Sequence, residues 1–312
     1  MVGDVEGRLV CDLGGTNIRI ALARGTSLSH RWSTPITAHS SFEAALASYL
    51  SKMQPGAISE IAIGAAGPID GKSVQLTNAP WIFETSNISA ALGGIDVLCF
   101  NDLQPVARSI AALKGDELET LSSGAPGSTA QLAVNVGTGF GAAVLHRNGD
   151  ELHAAATEAG HMALPAIIAS KTPQPNKPDL TIEDLLSGNG VEQLYRHLSS
   201  VSHVSMHAQS ADTITCPADI FAAVENDAVA RQTADAFGFA LGVALRDLIL
   251  AHAAWGGVYL YGSVIKGWIE TGQTETLIDG LSAIDAMDDR VSKVPVHRIV
   301  RDDAALLGLA LM

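Results

Sequence analysis

The chain has 312 residues, 47% of them apolar and 17% charged, with a net charge of −14. That length and apolar share allow two domains with sizeable cores and exclude a disordered chain. The acidic balance disfavours a nucleic-acid or anionic-membrane surface, where Lys and Arg must neutralise phosphates, but permits a nucleotide held by backbone N–H groups and Mg²⁺.

Residues 8–13 read as a buried strand, Gly14-Gly15 as a tight reversal, and the apolar run to Leu22 as a returning strand. Bare N–H groups at such a turn bind anions, phosphate especially. Asp12, at the strand end, can hold Mg²⁺ through water. Phe42, Ala45, Leu46, Tyr49, Leu50 and Met53 share one face and predict a helix over 42–53. Residues 58–66 and 96–100 predict buried strands, the second ending at Asn101-Asp102. Pro105 is expected to open a helix running to about Leu113. This alternation implies an α/β fold with a largely parallel or mixed sheet.

Residues 114–130 read as a passage between domains. The pattern of the first hairpin then recurs: without a gap, Leu9 falls on Leu132, Asp12 on Asn135, Gly14 on Gly137 and Leu22 on Leu145. Two such hairpins suggest related half-domains gripping a triphosphate from both sides. Residues 165–178 and 199–215 read as loops, and 217–250 as two long helices. Residues 257–262 and 294–300 predict strands. Asp302-Asp303 is suited to cap a final helix, 304–311, that returns to the first domain.

Several patterns exclude other chemistry. Cys11, Cys99 and Cys216 form no CxxC pair, so neither a disulfide framework nor a zinc site is expected. No signal peptide or membrane span is legible, which points to a cytoplasmic protein. The stretch 66–73 superficially fits a relaxed phosphate loop, but a strand follows where that motif needs a helix. The same objection removes Gly137-Thr-Gly-Phe-Gly141 as a dinucleotide fingerprint. His197, His203 and His207 read as solvated loop histidines, not metal ligands.

Two constellations carry chemistry. Asn101-Asp102 ends an apolar strand, the usual ligand edge of an open α/β sheet. Asp102 there can accept a proton from an attacking hydroxyl during phosphoryl transfer; an Asx turn or a helix N-cap fits the same residues. In Thr157-Glu-Ala-Gly-His161, the small central pair lets the backbone aim Glu158 and His161 at one polyol, and an exposed turn is the plainer alternative.

Together these segments resemble the bacterial glucokinase family, within the actin-like ATPase superfamily of sugar kinases, over residues 9–311 and in family order. Asp12, Leu13, Gly14, Gly15, Thr16 and Asn17 are similar to its first phosphate loop, and Gly137, Thr138 and Gly139 to its second. Asn78 lies in a segment similar to its sugar-contacting strand, and Asn101-Asp102 in one resembling its catalytic aspartate segment. Glu158 and His161 resemble its Glu-Gly-Gly-His sugar site, with Ala159 for one glycine, and Glu183 matches a sugar-contacting glutamate. Gly262-Ser263 resembles the adenosine turn, with Ser263 where Gly is frequent.

The resemblance implies a two-domain actin-like ATPase (ribonuclease H-like) fold with a central cleft. Residues 1–112 plus 299–312 would form a small domain and 113–298 a large one. It further implies ATP and Mg²⁺ as cofactors, with Asp12 as the metal-orienting carboxylate and Asp102 as the base. The partners implied are glucose or a related hexose and a second copy of the chain, with glucose 6-phosphate entering glycolysis. A kinase for another hexose or an amino sugar, or a non-catalytic nucleotide-binding sugar sensor, are the alternatives. A related repressor and kinase group carries a cysteine-rich zinc motif near its sugar-binding histidine. The lack of cysteine between Cys99 and Cys216, and a phosphate loop starting at Asp12, argue against a DNA-binding role.

Overall fold

The computed structural model describes residues 6–67, 69–70, 72–77, 79–127, 130–172, 179–201 and 216–312. The chain forms two compact units: Met1–Glu117 with Asp150–Ala156 and Arg301–Met312, and Leu118–Gly149 with Thr157–Val300. The expected division fell at 112/113 and 298/299. The units divide at 117/118 and 300/301, and Asp150–Ala156 groups with the first.

In the first unit, β1 (Gly7–Leu13), β2 (Asn17–Arg24), β3 (Ser27–Pro35), β4 (Ile58–Ala65) and, past a small hairpin sheet, β8 (Asp96–Asn101) form one sheet in the order β3-β2-β1-β4-β8. The small sheet comprises β5 (Ile69–Asp70), β6 (Ser73–Gln75) and β7 (Ile82–Glu84). Asp70 pairs with Ser73 there, so a hairpin and not a helix follows Ala66-Gly67. Helix α1 (Phe42–Met53) buries Phe42, Ala45, Leu46 and Tyr49 against the sheet, its N-terminus capped by Ser41. Helices α2 (Thr85–Ala91) and α3 (Leu103–Ser109) flank β8 in sequence.

Helix α3 begins two residues before the expected Pro105 and ends at Ser109. The Asn101 side chain supplies the turn that starts it, leaving Pro105 at the third position. The C-terminal helix Ala304–Leu309 packs against α3. It receives no capping bond from Asp303. That carboxylate instead accepts from Arg301 and pairs with Arg31 at 2.9 Å, so its partners are two guanidinium groups in place of the helix N–H groups.

In the second unit, β9 (Leu118–Ser122), β10 (Ala130–Val136), β11 (Phe140–Asn148), β13 (Val258–Tyr261) and β14 (Val296–Ile299) run in the order β11-β10-β13-β14-β9; β12 (Glu151–Thr157) lies mostly in Asp150–Ala156. The stretch 114–130 is therefore not a bare passage. It contains β9, held antiparallel to β14 and tied by Arg298–Glu119 at 2.9 Å. Likewise 165–178 is not all loop, because Ala166–Lys171 forms helix α4 around the buried Ile168. Residues 173–178 lie outside the described residues, as do 202–215 with His203 and His207. His197 sits in helix α6 (Gly188–Val201), which follows the short α5 (Ile182–Leu185).

The first of the two expected long helices is short, α7 (Pro217–Ala222), since the chain turns before Asp227. Asp227 caps α8 (Ala228–His252) through the Val229 and Ala230 N–H groups. Helix α8 forms the core of this unit with Trp268 of α9 (Ser263–Ile269), whose indole donates to the Ala234 carbonyl at 3.0 Å. Among the described residues no helix is long and apolar enough to cross a membrane.

The two sheets repeat one pattern. An antiparallel hairpin, β1-β2 or β10-β11, is extended by parallel strands, β4-β8 or β13-β14. The gap-free superposition of the hairpins slips at the turn. Leu9 pairs with Leu22, whereas Leu132 pairs with Val144, because the second turn is one residue shorter.

Candidate active site

In the first unit the parallel register sets the geometry. Leu13 lies beside Ala65, and Ala65 beside Asn101, so the glycine turn and Asn101-Asp102 leave the same sheet edge at the same level, two strands and about 10 Å apart. The turn is closed by Gly14 N–H to the Asn17 carbonyl at 3.1 Å, with Thr16 and Asn17 exposed. Neither Gly14 nor Gly15 has a positive φ. A Cβ built on Gly14 meets only the Asn17 oxygen, at 3.4 Å. The fold does not require glycine there. Gly14→Ala is accordingly expected to keep the wild-type unfolding temperature while raising the ATP KM by at least about tenfold, since hydrogen bonds to a charged group contribute about 1.5–3 kcal/mol.

Asp12 is 9% exposed. Burial pushes its carboxyl up from the ordinary range and Arg19 draws it back down, 3.4 Å away. Arg19 was not singled out in the sequence, although the hairpin register places it directly opposite Asp12. No three His, Cys, Asp or Glu side chains converge as a metal cage among the described residues. A Mg²⁺ ion that keeps its waters and takes its other ligands from phosphates needs one or two carboxylates, and Asp12 meets that requirement.

At the end of β8, the Asn101 Oδ1 accepts from the Leu103 N–H at 3.0 Å, and the Asn101 N–H donates to Gln104. Asp102 stands at the N-cap position of α3 but makes no capping bond there. Its main chain is fixed by the Ala65 carbonyl at 3.1 Å. The capping role open to either residue belongs to Asn101. Asn78 lies outside the described residues.

The second unit gathers the other candidates. Its glycine turn is closed by Gly137 N–H to the Gly139 carbonyl at 3.0 Å, with Thr138 exposed at the tip. Glu158 precedes and His161 ends a single 3₁₀ turn, Ala159–His161, which brings Oε2 and Nε2 to 3.9 Å; both side chains are exposed. Glu183, on α5, accepts the Phe140 N–H at 2.7 Å. Gly262 has φ +108°, and a Cβ there would overlap the Val136 carbonyl and the Asn135 side chain, so this turn fits only glycine. Ser263 begins α9 and is exposed.

A duplicated hairpin-plus-parallel-strand sheet with a glycine turn in each copy is the actin-like ATPase fold as sugar kinases use it. The glucokinase family profile matches residues 9–312, and the chain belongs to the glucokinase family, ATP-dependent hexose kinases. The glucokinase of Cupriavidus metallidurans is 29% identical over 313 residues, 97% of this chain and 92% of its own. That of Cupriavidus pinatubonensis is 30% identical over 315 residues, 97% of this chain and 91% of its own. A glucokinase structure from an Antarctic psychrotroph aligns with a TM-score of 0.81 at 25% identity, covering 99% of this chain and 98% of that one.

Proposed function

We propose that the chain transfers the γ-phosphoryl group of ATP to the 6-hydroxyl of glucose, giving glucose 6-phosphate and ADP for glycolysis. The observation that carries this reading is the shared sheet edge of the first unit. It presents a phosphate-type turn, a nearly buried Asp12 and the Asn101-Asp102 pair at one level. Gly14, Gly15, Thr16 and Asn17 with Gly137, Thr138 and Gly139 take the phosphates, and Gly262-Ser263 the nucleoside. Asp12 orients a hydrated Mg²⁺, which neutralises phosphate charge when bound.

Asn78, Asn101, Glu158, His161 and Glu183 fix sugar hydroxyls. Asp102 accepts the proton of the attacking hydroxyl. An aspartate is a weak base at rest, but suffices when the proton leaves late, as the new P–O bond forms. Carboxylates discriminate among sugars because a missing hydroxyl leaves them unpaired. A homodimer rests on the sequence resemblance alone, and a cytoplasmic location on the reading of the sequence for signal peptides and membrane spans.

A coupled ADP-release assay over a hexose panel tests the substrate. Glucose is expected to show a kcat/KM at least about tenfold above mannose, fructose and glucosamine; another sugar leading the series would replace glucose in this reading. Glu158→Gln is expected to raise the glucose KM by about tenfold or more with a smaller change in kcat, since one charged acceptor is lost. An unchanged KM would put Glu158 outside the sugar site.

A further inference from the structure

The second glycine turn is held from both ends by one short segment. Gly188 N–H donates to the Gly137 carbonyl at 2.8 Å, and Glu183 Oε2 accepts the Phe140 N–H at 2.7 Å. These bonds fasten the residues on either side of the Thr138-Gly139 tip. The segment is itself rigid. Thr181 and Asp184 form a reciprocal capping box at the start of α5, and Gly190 N–H bonds to the Ser187 hydroxyl.

The Glu183 carboxylate also reaches the other candidate group. A Cβ on Gly160, inside the Glu158-Ala-Gly-His161 turn, would lie 3.5 Å from Glu183 Oε2. A Cβ on Gly139 would lie 2.5 Å from the same oxygen. A side chain at 139 would therefore displace the Glu183 carboxylate, whereas backbone torsion places no demand for glycine there, because Gly139 has no positive φ. One carboxylate thus touches the nucleotide turn and borders the sugar turn.

We propose that Glu183 is a positioning residue that couples sugar binding to nucleotide binding. The inference rests on the sugar-kinase reading above. A carboxylate accepts several hydrogen bonds at once. A sugar hydroxyl donating to Glu183 fixes the orientation of the group whose Oε2 shapes the turn around Gly139. A turn already set in its binding shape costs the nucleotide less to order, so the two ligands assist each other, and by linkage the assistance is reciprocal.

The test is calorimetric titration of a non-hydrolysable ATP analogue, with and without saturating glucose, and of glucose alone, on the wild-type chain, Glu183→Gln, Glu183→Ala and Gly139→Ala. In the wild type, glucose is expected to tighten analogue binding at least about fivefold. Glu183→Ala removes the acceptor for the Phe140 N–H, and is expected to weaken the analogue without glucose and to abolish the fivefold gain. Glu183→Gln keeps a neutral acceptor for that N–H. It is expected to weaken the sugar-free analogue less than Glu183→Ala does while losing most of the gain. Gly139→Ala, a change in the nucleotide turn, is expected to raise the glucose Kd, because its methyl group displaces the Glu183 carboxylate.

Retention of the glucose gain in Glu183→Ala, or an unchanged glucose Kd in Gly139→Ala, overturns the coupling. Should Glu183→Ala fail to fold, Glu183→Gln and Gly139→Ala carry the decision. The sugar-kinase reading fails separately, by absence of glucose binding in the wild type; coupling by glucose then falls with it, and the sugar-free analogue titrations still read the hold of Glu183 on the turn.

Discussion

Replacing Asp102 by alanine is expected to lower kcat by about 10³-fold, within the span that positioned acid–base groups contribute. The carboxylate makes no capping bond to α3. Asn101 performs that task through the Leu103 N–H, and the backbone of residue 102 stays anchored on the Ala65 carbonyl. The variant thus removes the proposed proton acceptor and keeps these two ties of the strand–helix junction. Asp102→Asn is expected to behave alike, since an amide is not a base at neutral pH. Steady-state kinetics with glucose and ATP measure the effect. Turnover near the wild-type rate would remove Asp102 from the role of base.

Gly308→Ala is expected to destabilise the chain by about 1–3 kcal/mol, although alanine ordinarily favours a helix over glycine by about 0.5–1 kcal/mol. Two opposing terms decide the sign. A Cβ at residue 308 would fall inside the contact distance of the Pro105 carbonyl oxygen, a backbone atom that no rotamer change can move aside. The helix Ala304–Leu309 must then retreat from α3, whose N-cap position is Asp102. Gly64 also lies against the Pro105 ring, with its hypothetical Cβ 3.4 Å away. Thermal unfolding is expected to shift down, and kcat to fall with it as the Asp102 junction loosens. An unfolding temperature equal to or above wild type would show that helix propensity outweighs the contact.

Legibility in the sequence followed the strength of each local signal. Helix α1 was predicted at both ends, because a twelve-residue apolar face is long enough for its period to show. Helix α4 was not, since its six residues bury one side chain, Ile168, and prolines dominate the surrounding composition. Strand β9 hid because its side chains are only partly buried and its partner, β14, lies far along the chain. The one-residue difference between the two glycine turns is invisible to a gap-free comparison, as both apolar runs tolerate sliding by one position.

Asp12, Gly14, Asn101-Asp102, Glu158 and His161 are candidates because chemistry and turn signals coincide there. What stayed hidden was the division of labour. That Asn101 caps α3 depends on backbone geometry. That Glu183 holds the N–H of Phe140, 43 residues away, depends on packing that no local pattern encodes.

The central claim is that ATP is consumed here to phosphorylate a sugar. Phosphorus NMR of the wild-type chain with Mg²⁺ and ATP, with and without glucose, tests it most directly. The predicted result is stoichiometric appearance of ADP and a sugar 6-phosphate resonance only when glucose is present, with little inorganic phosphate in its absence. Glucose-independent release of inorganic phosphate, or an unchanged ATP spectrum with glucose present, would contradict it.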